Sequence, residues 1–473
     1  MSEVSPARTA ALAVLGAVRR GRRLDRALES ALRGVSPEEG PWVHAVTYGV
    51  IRLRGRLDHL LDRSLHAGLE SVSPLVLDVL RLGAYQLLYM DAVPDYAALS
   101  QSVEQAKEVV GRRVAGLVNG VLRSVQRESL DRVDHDRESV DRRNRHRRGL
   151  DEATPGAPSG GRADPALFPD PEEDPVGHLA TWGSHPDWMV ERWLDRYGRD
   201  GAFRLVEENN RIPALSIRPI GLSLAEAGDR LGGAGIGSRP AGMGSRCLWI
   251  DDGVEPETVL ETVPAVIQDP AASLVVEYAS PDPGSRIADL CAAPGGKALG
   301  LASSDPSVSW VLAGDRSRRR LALLGPALER LKPWISPVYR VAARGEIPPV
   351  VEADFVLADV PCTGTGTLRR HPDGRWRLEP QDPDRLSGVQ ARILQGASGC
   401  VRPGGLLVYS TCTLEPEENE QVVSQFLARS DGFRIDPPGD VAGDLVDENG
   451  FLRVLPHETG FDGAFAARMR RMG

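Results

Sequence analysis

The sequence predicts a multidomain protein in which an all-α helical bundle is followed by an α/β domain with a doubly wound, mostly parallel sheet. Through residues 5–126, apolar residues recur at the spacing of amphipathic helices. Residues 127–178 lose that period and are rich in Pro, Gly, Ala and charged residues. After residue 265, short apolar strands alternate with glycine-rich loops and helices, which is typical of a parallel sheet covered by helices.

Length and composition set the broad class of the protein. The chain has 473 residues, of which 41% are hydrophobic and 26% are charged. These values exclude collagen-like and wholly disordered proteins and leave room for about two to four domains. Five cysteines, an odd number, argue against a disulfide scaffold and favour a reducing, cytoplasmic location. No apolar run reaches about 18 residues and no basic segment precedes the first apolar run, so we expect neither a membrane span nor a signal peptide.

The net charge of −9 hides an asymmetry along the chain. Residues 1–150 carry a net charge of +5, whereas residues 151–473 carry −14. Only three of the 57 cationic residues are lysines, so nearly all of them are arginines, whose planar guanidinium suits bidentate contacts with phosphate. The overall negative charge therefore does not exclude a nucleic-acid partner.

Residues 1–126 form the predicted helical domain. Val103, Ala106 and Val110 are spaced to share one face of a helix. Ser73 followed by Pro74 is typical of a helix start. Taken alone, the periodicity favours an ordinary bundle with arginines on a solvated face.

Residues 127–178 form the predicted linker, for which we expect disorder. Its clustered arginines can contact an RNA backbone, although a solvated linker accounts for them equally well. These arginines are Arg142, Arg143, Arg145, Arg147 and Arg148. Residues 179–265 then form a smaller α/β subdomain. Residues 266–473 form the main α/β domain, where we expect ligands at the carboxyl ends of the strands.

The first motif of the main domain, DLCAAPGGK, runs from Asp289 to Lys297 between a strand and a helix. Its two glycines allow a ligand to approach the backbone closely, and Lys297 at the helix start favours an anionic group. The spacing matches neither a P-loop nor the G-x-G-x-x-G fingerprint. Asp315, at the end of the next strand, is placed to accept hydrogen bonds from ribose hydroxyls. Together these features favour an adenosine-type cofactor over an ordinary glycine-rich turn.

The second motif, ADVPCTGTG, brings Asp359 and Cys362 to the end of a strand, and LRRHPDGRWR follows it. Arginines beside a tryptophan are the usual mixture for binding phosphates and stacking on bases, so we expect RNA contacts in this stretch. The predicted contact residues are Arg369, Arg370, His371, Arg375, Trp376 and Arg377.

The third motif, YSTCT, places Cys412 at the end of another strand. Thiols beside polar, glycine-rich loops are unusual for core cysteines, whereas Cys247 and Cys400 lie in apolar surroundings and are predicted to be structural. No C-x₂-C pair or nearby Cys/His set completes four zinc ligands, so we expect no metal. A redox pair is an alternative that the spacing leaves open, although C-x-x-C is missing.

Taken together, these motifs resemble the bacterial RNA cytosine-C5 methyltransferases of the RsmB (Fmu/Sun) family. The resemblance covers residues 180–473 and is carried by CAAPGGK, by D-x-PC-x-G-x-G with RRHPDGRWR, by YSTCT-x-x-PEENE and by the closing PHETGFDGAF. The helical domain resembles the NusB-type RNA-binding domain that precedes the catalytic domain in this family. The resemblance implies a Rossmann-like methyltransferase fold for residues 266–473, S-adenosylmethionine as the methyl donor and 16S ribosomal RNA as the partner.

The resemblance also implies the site residues. The nucleophile of the family lies in its TC motif, which is Cys412 here, and its PC cysteine, which assists proton removal and enzyme release, is Cys362. Asp359 is placed to hydrogen-bond N3 or the exocyclic amine of the target cytosine. The implied cofactor site consists of Asp315, Asp359 and the loop residues Cys291, Ala292, Ala293, Pro294, Gly295, Gly296 and Lys297.

Three alternatives stay open at this point. The substrate can be another RNA, such as tRNA or 23S ribosomal RNA, although the NusB-like domain favours the 16S branch. A non-catalytic RNA-binding adapter with a degenerate methyltransferase domain is favoured only by Arg344, which stands where the family usually has an acid that contacts the adenine. A thiol-redox enzyme is the third alternative.

Overall fold

The computed structural model describes residues 4–135, 162–348, 352–439 and 443–473. The chain divides into two compact units, one of Met1–Pro213 with Leu368–Leu378 and the other of Ala214–Thr367 with Glu379–Gly473. The arginines predicted to contact RNA from the linker lie outside the described residues. In the described ranges, no helix is long and apolar enough to cross a membrane.

The first unit is helical, as the apolar period predicts. Its helices begin where the sequence supplies caps: the hydroxyl of Ser5 accepts a hydrogen bond from the N–H of Arg8, and that of Ser73 accepts one from Val76. Their apolar faces pack into one core of buried aliphatic side chains. The helices are α1 (Pro6–Arg19), α2 (Leu24–Leu32), α3 (Gly40–Arg52), α4 (Arg54–Ser64), α5 (Pro74–Tyr89), α6 (Asp95–Val109), α7 (Ala115–His135), α8 (Pro175–Thr181) and α9 (Asp187–Asn210, interrupted at Gly198).

The helical unit extends beyond the predicted 1–126 domain. Helix α7 continues past residue 126, and α8 and α9 belong to the same unit. Ala163, Leu167 and Phe168, which lie in the stretch expected to be disordered, are buried in the helical core. The rings of Phe168 and His59 stack with centroids 4.8 Å apart. These buried side chains thus hold residues 163–168 in place, although the sequence there shows no regular apolar period.

Residues 368–378, here called the docked segment, follow far along the chain but belong to the helical unit. They contain the short helix α16 (Gly374–Arg377). The indole N–H of Trp376 donates to the carbonyl of Ile51 at 2.7 Å. The carboxylate of Asp373 accepts a hydrogen bond from the N–H of Leu24, at the start of α2, at 3.3 Å. The docked segment therefore completes the backbone hydrogen bonding of two earlier helices.

The guanidinium of Arg375 lies at the centre of this packing and has no exposed surface. It donates to five oxygens of the same unit at 2.8–3.5 Å, namely the carbonyls of Arg52, Ser184, Asn209 and Leu368 and the side-chain oxygen of Asn210. Burial, and then the nearby Arg52 guanidinium, lowers the pKa of Arg375 well below its ordinary value. Backbone dipoles, rather than a carboxylate, compensate this buried group.

The second unit contains a small antiparallel sheet near its start. Its strand order is β2–β3–β1–β4, and β1 pairs with both β3 and β4. The elements of this layer are β1 (Ser216–Pro219), α10 (Leu224–Gly233), β2 (Ser238–Pro240), β3 (Leu248–Ile250), α11 (Pro256–Thr262) and β4 (Ala265–Ile267).

Within the described ranges, the larger sheet has eight strands in the order β10–β12–β9–β8–β5–β6–β7, with β11 paired to β12. The strands are β5 (Arg286–Asp289), β6 (Trp310–Asp315), β7 (Val338–Ala342), β8 (Ala353–Asp359), β9 (Val401–Thr411), β10 (Phe433–Ile435), β11 (Phe451–Val454) and β12 (Ala464–Arg471). The helices of this part are α12 (Pro270–Ala279), α13 (Gly296–Ala302), α14 (Arg318–Ala322), α15 (Leu324–Leu331), α17 (Asp382–Ser398), α18 (Glu420–Arg429) and α19 (Pro456–Thr459). The prediction of a doubly wound, mostly parallel sheet is confirmed, because β5 to β9 are joined by parallel pairs only.

The strand order reverses beside β5. The chain proceeds outward from β5 through β6 to β7 and then returns to β8 on the other side of β5. Ligands of open α/β sheets bind at such a switch point, beyond the carboxyl ends of the strands. Here the strands that meet at this edge end at Asp289, Asp315, Asp359 and Thr411.

Replacing Arg375 with alanine is expected to destabilise the helical unit by about 3 kcal/mol or more, because several buried oxygens lose their donor at once. Urea unfolding of the full chain, followed by hydrogen exchange in α3 and α9, measures this loss. Arg377→Ala is the matched control, since Arg377 lies in the same short helix and forms a partly exposed ion pair with Asp373 at 2.9 Å. We expect the control to cost under about 1 kcal/mol. Equal losses in the two variants would contradict the assignment.

Candidate active site

The two cysteines of the second and third motifs lie side by side. Cys412 directly follows β9, and Cys362 follows β8 by three residues. These strands are parallel neighbours, with Asp359 opposite Ser410, so their carboxyl ends meet. The two sulfur atoms are 3.4 Å apart, and the backbone N–H of Cys412 points at the sulfur of Cys362 at 3.4 Å. Both thiols are half-buried and neither is in a disulfide.

The contact with Cys412 shifts the electrostatics of Cys362. The hydrogen bond with Cys412, and then burial, raises the pKa of Cys362 well above its ordinary value. Cys362 therefore favours its protonated form, and the 3.4 Å separation allows a hydrogen bond between the two sulfurs in which either can donate.

Asp359 ends β8, three residues before Cys362, and anchors an ion pair. Its Oδ2 accepts from the Lys297 ammonium at 2.8 Å, and its Oδ1 accepts from the Ser410 hydroxyl at 2.7 Å. Burial opposes the charged form of Lys297, but the neighbouring carboxylate outweighs it and raises the pKa of Lys297. Lys297 is thus a permanent cation that ties the DLCAAPGGK loop to the end of β8.

The DLCAAPGGK loop joins β5 to α13 and depends on glycine at one position. Gly295 adopts φ +121°, and a Cβ there would lie 2.5 Å from Cγ of Leu324. A residue with a side chain would be strained there and would also clash with α15. The bare backbone at Gly295 and Gly296 leaves the loop surface open to a ligand.

Asp289, at the end of β5, is a site residue that the sequence analysis did not include. It is fully buried, its Oδ1 accepts from the N–H of Cys291 at 3.2 Å, and its Oδ2 has no partner among the described residues. Burial, and then the nearby Asp359 carboxylate, raises the pKa of Asp289 to about 8. Its place as the first residue of the motif was a signal that could have identified it.

Asp315 occupies the end of β6, as the sequence predicts, and its contact with ribose stays a prediction. Its side chain is buried; one oxygen accepts from the N–H of Ser317 at 2.8 Å, and the other lies 3.3 Å from the guanidinium of Arg320. Arg320 also donates to the carbonyl of Ala293. This exposed arginine therefore links the end of β6 to the DLCAAPGGK loop.

The remaining cysteines are not poised for chemistry. Burial raises the pKa of Cys247 to about 12, and burial with the Asp289 carboxyl raises that of Cys291 further. Cys400 is buried in the core of the larger sheet. Arg344, which the sequence places at the usual adenine-contact position, is exposed in a turn closed by a hydrogen bond from the N–H of Ile347 at 3.0 Å.

The arginine cluster predicted to bind RNA needs correction. Arg375 has no exposed surface and Arg369 is only 6% exposed, so these two side chains are not available to phosphates. Trp376 packs on the helical core and donates its indole N–H to the backbone carbonyl of Ile51. The prediction failed for Arg375 because backbone carbonyls, which a sequence pattern does not show, accept its hydrogen bonds. For Arg370, His371, Trp376 and Arg377, which keep exposed surface, RNA contact stays a prediction.

The site residues fit S-adenosylmethionine. Oδ2 of Asp289 is a buried oxygen that has no hydrogen-bond partner in the part of the chain that the structure describes, which suits an ammonium group. Asp315 offers a carboxylate at the position expected for ribose, and the two glycines leave room for the ligand beside them. Asp359, 28% exposed, is shared between this side of the site and the thiol pair.

Both parts of the chain match known families. The family described as 16S rRNA methyltransferase RsmB/F matches residues 276–470, and the NusB family matches residues 5–127. The probable ribosomal RNA small subunit methyltransferase B of Bacillus subtilis is 31% identical over 439 residues, 90% of each chain. The ribosomal RNA small subunit methyltransferase B of Thermus thermophilus is 34% identical over 478 residues, 98% of each chain.

Solved structures show the same fold. The crystal structure of PH0851 is similar over 99% of this chain and 100% of that chain, with a TM-score of 0.73 and 21% identity. A methyltransferase homolog from Pyrococcus horikoshii is 25% identical, with a TM-score of 0.52, over 64% of this chain and 100% of its own.

The raised pKa of Asp289 predicts a pH dependence of stability. A carboxyl that titrates near 8 when folded and near 3.8 when unfolded stabilises the fold fully only below the lower value. The free energy of unfolding should therefore fall as pH rises from about 4 to 8, by at most about 1.4 kcal/mol per pH unit from this group. Asp289→Asn should remove this component, as measured by urea unfolding across that range. Asp431→Asn, at an exposed position, should leave the slope unchanged, and an unchanged slope in Asp289→Asn would refute the assignment.

Proposed function

The chain belongs to the RsmB/F family of S-adenosylmethionine-dependent RNA cytosine-C5 methyltransferases, and on that premise we propose that it forms 5-methylcytosine in 16S ribosomal RNA through Cys412, Cys362 and Asp359. The observation that carries the assignment of these residues is the pair of sulfur atoms 3.4 Å apart, at the ends of the two strands that also carry Asp359 and its partner Ser410. The 16S assignment is supported by the description of the family and by the relatives named small subunit methyltransferase B, which cover nearly the whole chain.

The chemistry explains why two thiols are needed. C5 of cytosine is a poor nucleophile. A thiolate that adds to C6 makes C5 enamine-like, so that C5 can take up a methyl group. Cys412 forms this bond to C6, since it stands at the position of the family's TC-motif nucleophile and its sulfur lies 3.4 Å from that of the second thiol. Bound S-adenosylmethionine supplies an electrophilic methyl group on a sulfonium.

Resolution of the adduct uses the second thiol. The pKa of Cys362 is raised first of all by its hydrogen bond to Cys412. Once the sulfur of Cys412 is bonded to C6, that cause is gone, and Cys362 can release its proton to solvent. The Cys362 thiolate then removes the C5 proton, the bond between Cys412 and C6 breaks, and the thiolate of Cys412 returns.

Asp359 orients the base in this scheme. Its carboxyl lies beside the thiols and is held by Lys297 and Ser410, which fix its two oxygens. It hydrogen-bonds N3 or the exocyclic amine of cytosine and so stabilises the charge of the adduct. The base must leave its stack to reach this pocket, at a cost of a few kcal/mol. RNA contacts made elsewhere on the protein offset that cost.

The two cysteine variants should fail at different steps. Cys412→Ala should abolish methyl transfer and leave no covalent complex, because the bond to C6 cannot form. Cys362→Ala should accumulate an RNA–protein adduct that survives a denaturing gel, because the C5 proton is not removed. Cys400→Ala, which removes a core thiol outside the site, should retain both turnover and adduct resolution. Ordinary turnover in the absence of either site cysteine would refute the mechanism.

The substrate assignment is tested separately. Bisulfite sequencing of total RNA from a deletion strain should show the loss of 5-methylcytosine at one position of 16S ribosomal RNA. The purified enzyme should restore that mark on 16S transcripts and not on tRNA or 23S transcripts. Loss of a mark in tRNA or 23S ribosomal RNA instead would replace the 16S assignment and leave the chemistry intact.

A further inference from the structure

A buried carboxylate, Glu418, lies next to the thiol pair and takes no part in the steps above. It ends a short 3₁₀ turn, Pro416–Glu418, and has no exposed surface. Its Oε1 accepts from the backbone N–H of Thr363 at 2.9 Å and from the side-chain amide of Gln390 at 2.8 Å. Its Oε2 accepts from the hydroxyl of Thr413 at 2.8 Å and from that of Thr363. Four donors thus converge on one side chain.

Two of the residues that donate hydrogen bonds to Glu418 each follow one of the two cysteines. Thr363 directly follows Cys362, and Thr413 directly follows Cys412, so one carboxylate binds the residue after each thiol. The two threonine hydroxyls also contact each other at 2.7 Å. Gln390, on α17, donates in addition to the carbonyl of Pro361, which precedes Cys362, at 3.0 Å. Glu418 and Gln390 together therefore hydrogen-bond the residues on both sides of Cys362.

Further contacts bind the two loops to each other. The backbone N–H of Gly366 donates to the carbonyl of Cys412 at 3.1 Å. A Cβ on Gly366 would lie 2.8 Å from that oxygen, so glycine is required for this approach. The hydroxyl of Tyr409, on β9, donates to the carbonyl of Glu418 at 2.5 Å. Both loops lie beyond the ends of their strands, so polar contacts of this kind, rather than ladder hydrogen bonds, set their positions.

We propose that Glu418 is a positioning residue that holds the loops after β8 and β9 in the arrangement that brings the sulfur atoms of Cys362 and Cys412 together. This inference rests on the proposed function for its catalytic consequence, but its geometric content does not depend on the substrate. The hydrogen bonds of Glu418 described above reach Thr363 and Thr413 rather than the sulfur atoms, so Glu418 acts on the cysteines through these two threonines. Burial raises the pKa of Glu418, and the four donors oppose that rise.

The distance between the thiols can be measured directly by disulfide formation. Treatment with diamide removes two electrons and two protons from the thiol pair, joins the two sulfurs and reduces diamide to its hydrazine. The sulfurs need approach only from 3.4 Å to about 2.05 Å, so the wild-type protein should cross-link rapidly. Peptide mapping under non-reducing conditions quantifies the Cys362–Cys412 bond and separates it from products of other cysteines.

Two variants of Glu418 separate positioning from general stability. Glu418→Gln keeps an oxygen for the N–H donors of Thr363 and Gln390, and its NH₂ can face hydroxyls that are able to accept. Its cross-linking rate should stay within about 3-fold, and its kcat within about 10-fold, of the wild type. Glu418→Ala should cross-link at least 10-fold more slowly and lose at least 100-fold in kcat, while the KM for S-adenosylmethionine changes less than about 3-fold.

Two further variants keep the test decisive. Thr413→Val removes one donor without emptying the site, and it should slow cross-linking by about 3- to 10-fold even if Glu418→Ala fails to fold. Glu448→Ala removes an exposed carboxylate elsewhere and should behave as wild type in both assays. Wild-type cross-linking rates in folded Glu418→Ala and in Thr413→Val would overturn the proposal, whatever their activity. Slower cross-linking in a protein that does not methylate 16S ribosomal RNA would reject the proposed substrate and keep the positioning role.

Discussion

The parallel pairing of β8 with β9 is the constraint on which the rest of the site depends. With Asp359 opposite Ser410, the residues that follow each strand emerge at the same edge of the sheet. Cys362 and Cys412 are 50 residues apart in the chain, yet this pairing brings their sulfurs to 3.4 Å. A register slip of one residue would turn the side chains of one strand to the opposite face. The pairing of the strands brings the two thiols near each other. The loops that carry the thiols, and the hydrogen bonds between these loops, then set the final distance between the sulfur atoms.

Burial determines which groups near this edge carry charge. Asp289, Cys362, Tyr409 and Glu418 all have raised pKa values, and desolvation contributes to each. The Lys297 ammonium, in contrast, is kept charged by a carboxylate 2.8 Å away. The edge of the sheet therefore holds the Lys297–Asp359 ion pair beside buried groups whose charged forms burial disfavours. A fixed dipole in such surroundings acts more strongly on a developing charge than it would in water.

The motifs predicted well where the strands end, because the turn after a strand places local requirements on the backbone that the nearby residues reveal. The glycine pair and the alternation of apolar strands with loops were sufficient to place Gly295 and Asp315 beside β5 and β6. Partners supplied by distant backbone could not be read in this way. Arg375 resembled a phosphate ligand in the sequence. Three of the carbonyls that surround it come from residues 166 to 323 positions away, and a local sequence pattern does not show them. Glu418 lies within the PEENE motif, but the two threonines that it binds, Thr363 and Thr413, are brought together only by the fold.

The docked segment has a consequence for the order of synthesis. The helical unit is discontinuous in sequence: its core is made by residues up to Pro213, but residues 368–378 supply the guanidinium that satisfies its buried carbonyls. A chain emerging from the ribosome cannot finish this unit until it has passed residue 378, when β5 to β8 have also been made. The amino-terminal unit, although translated first, thus lacks the donors that satisfy its buried carbonyls until the strands β5 to β8 have been translated.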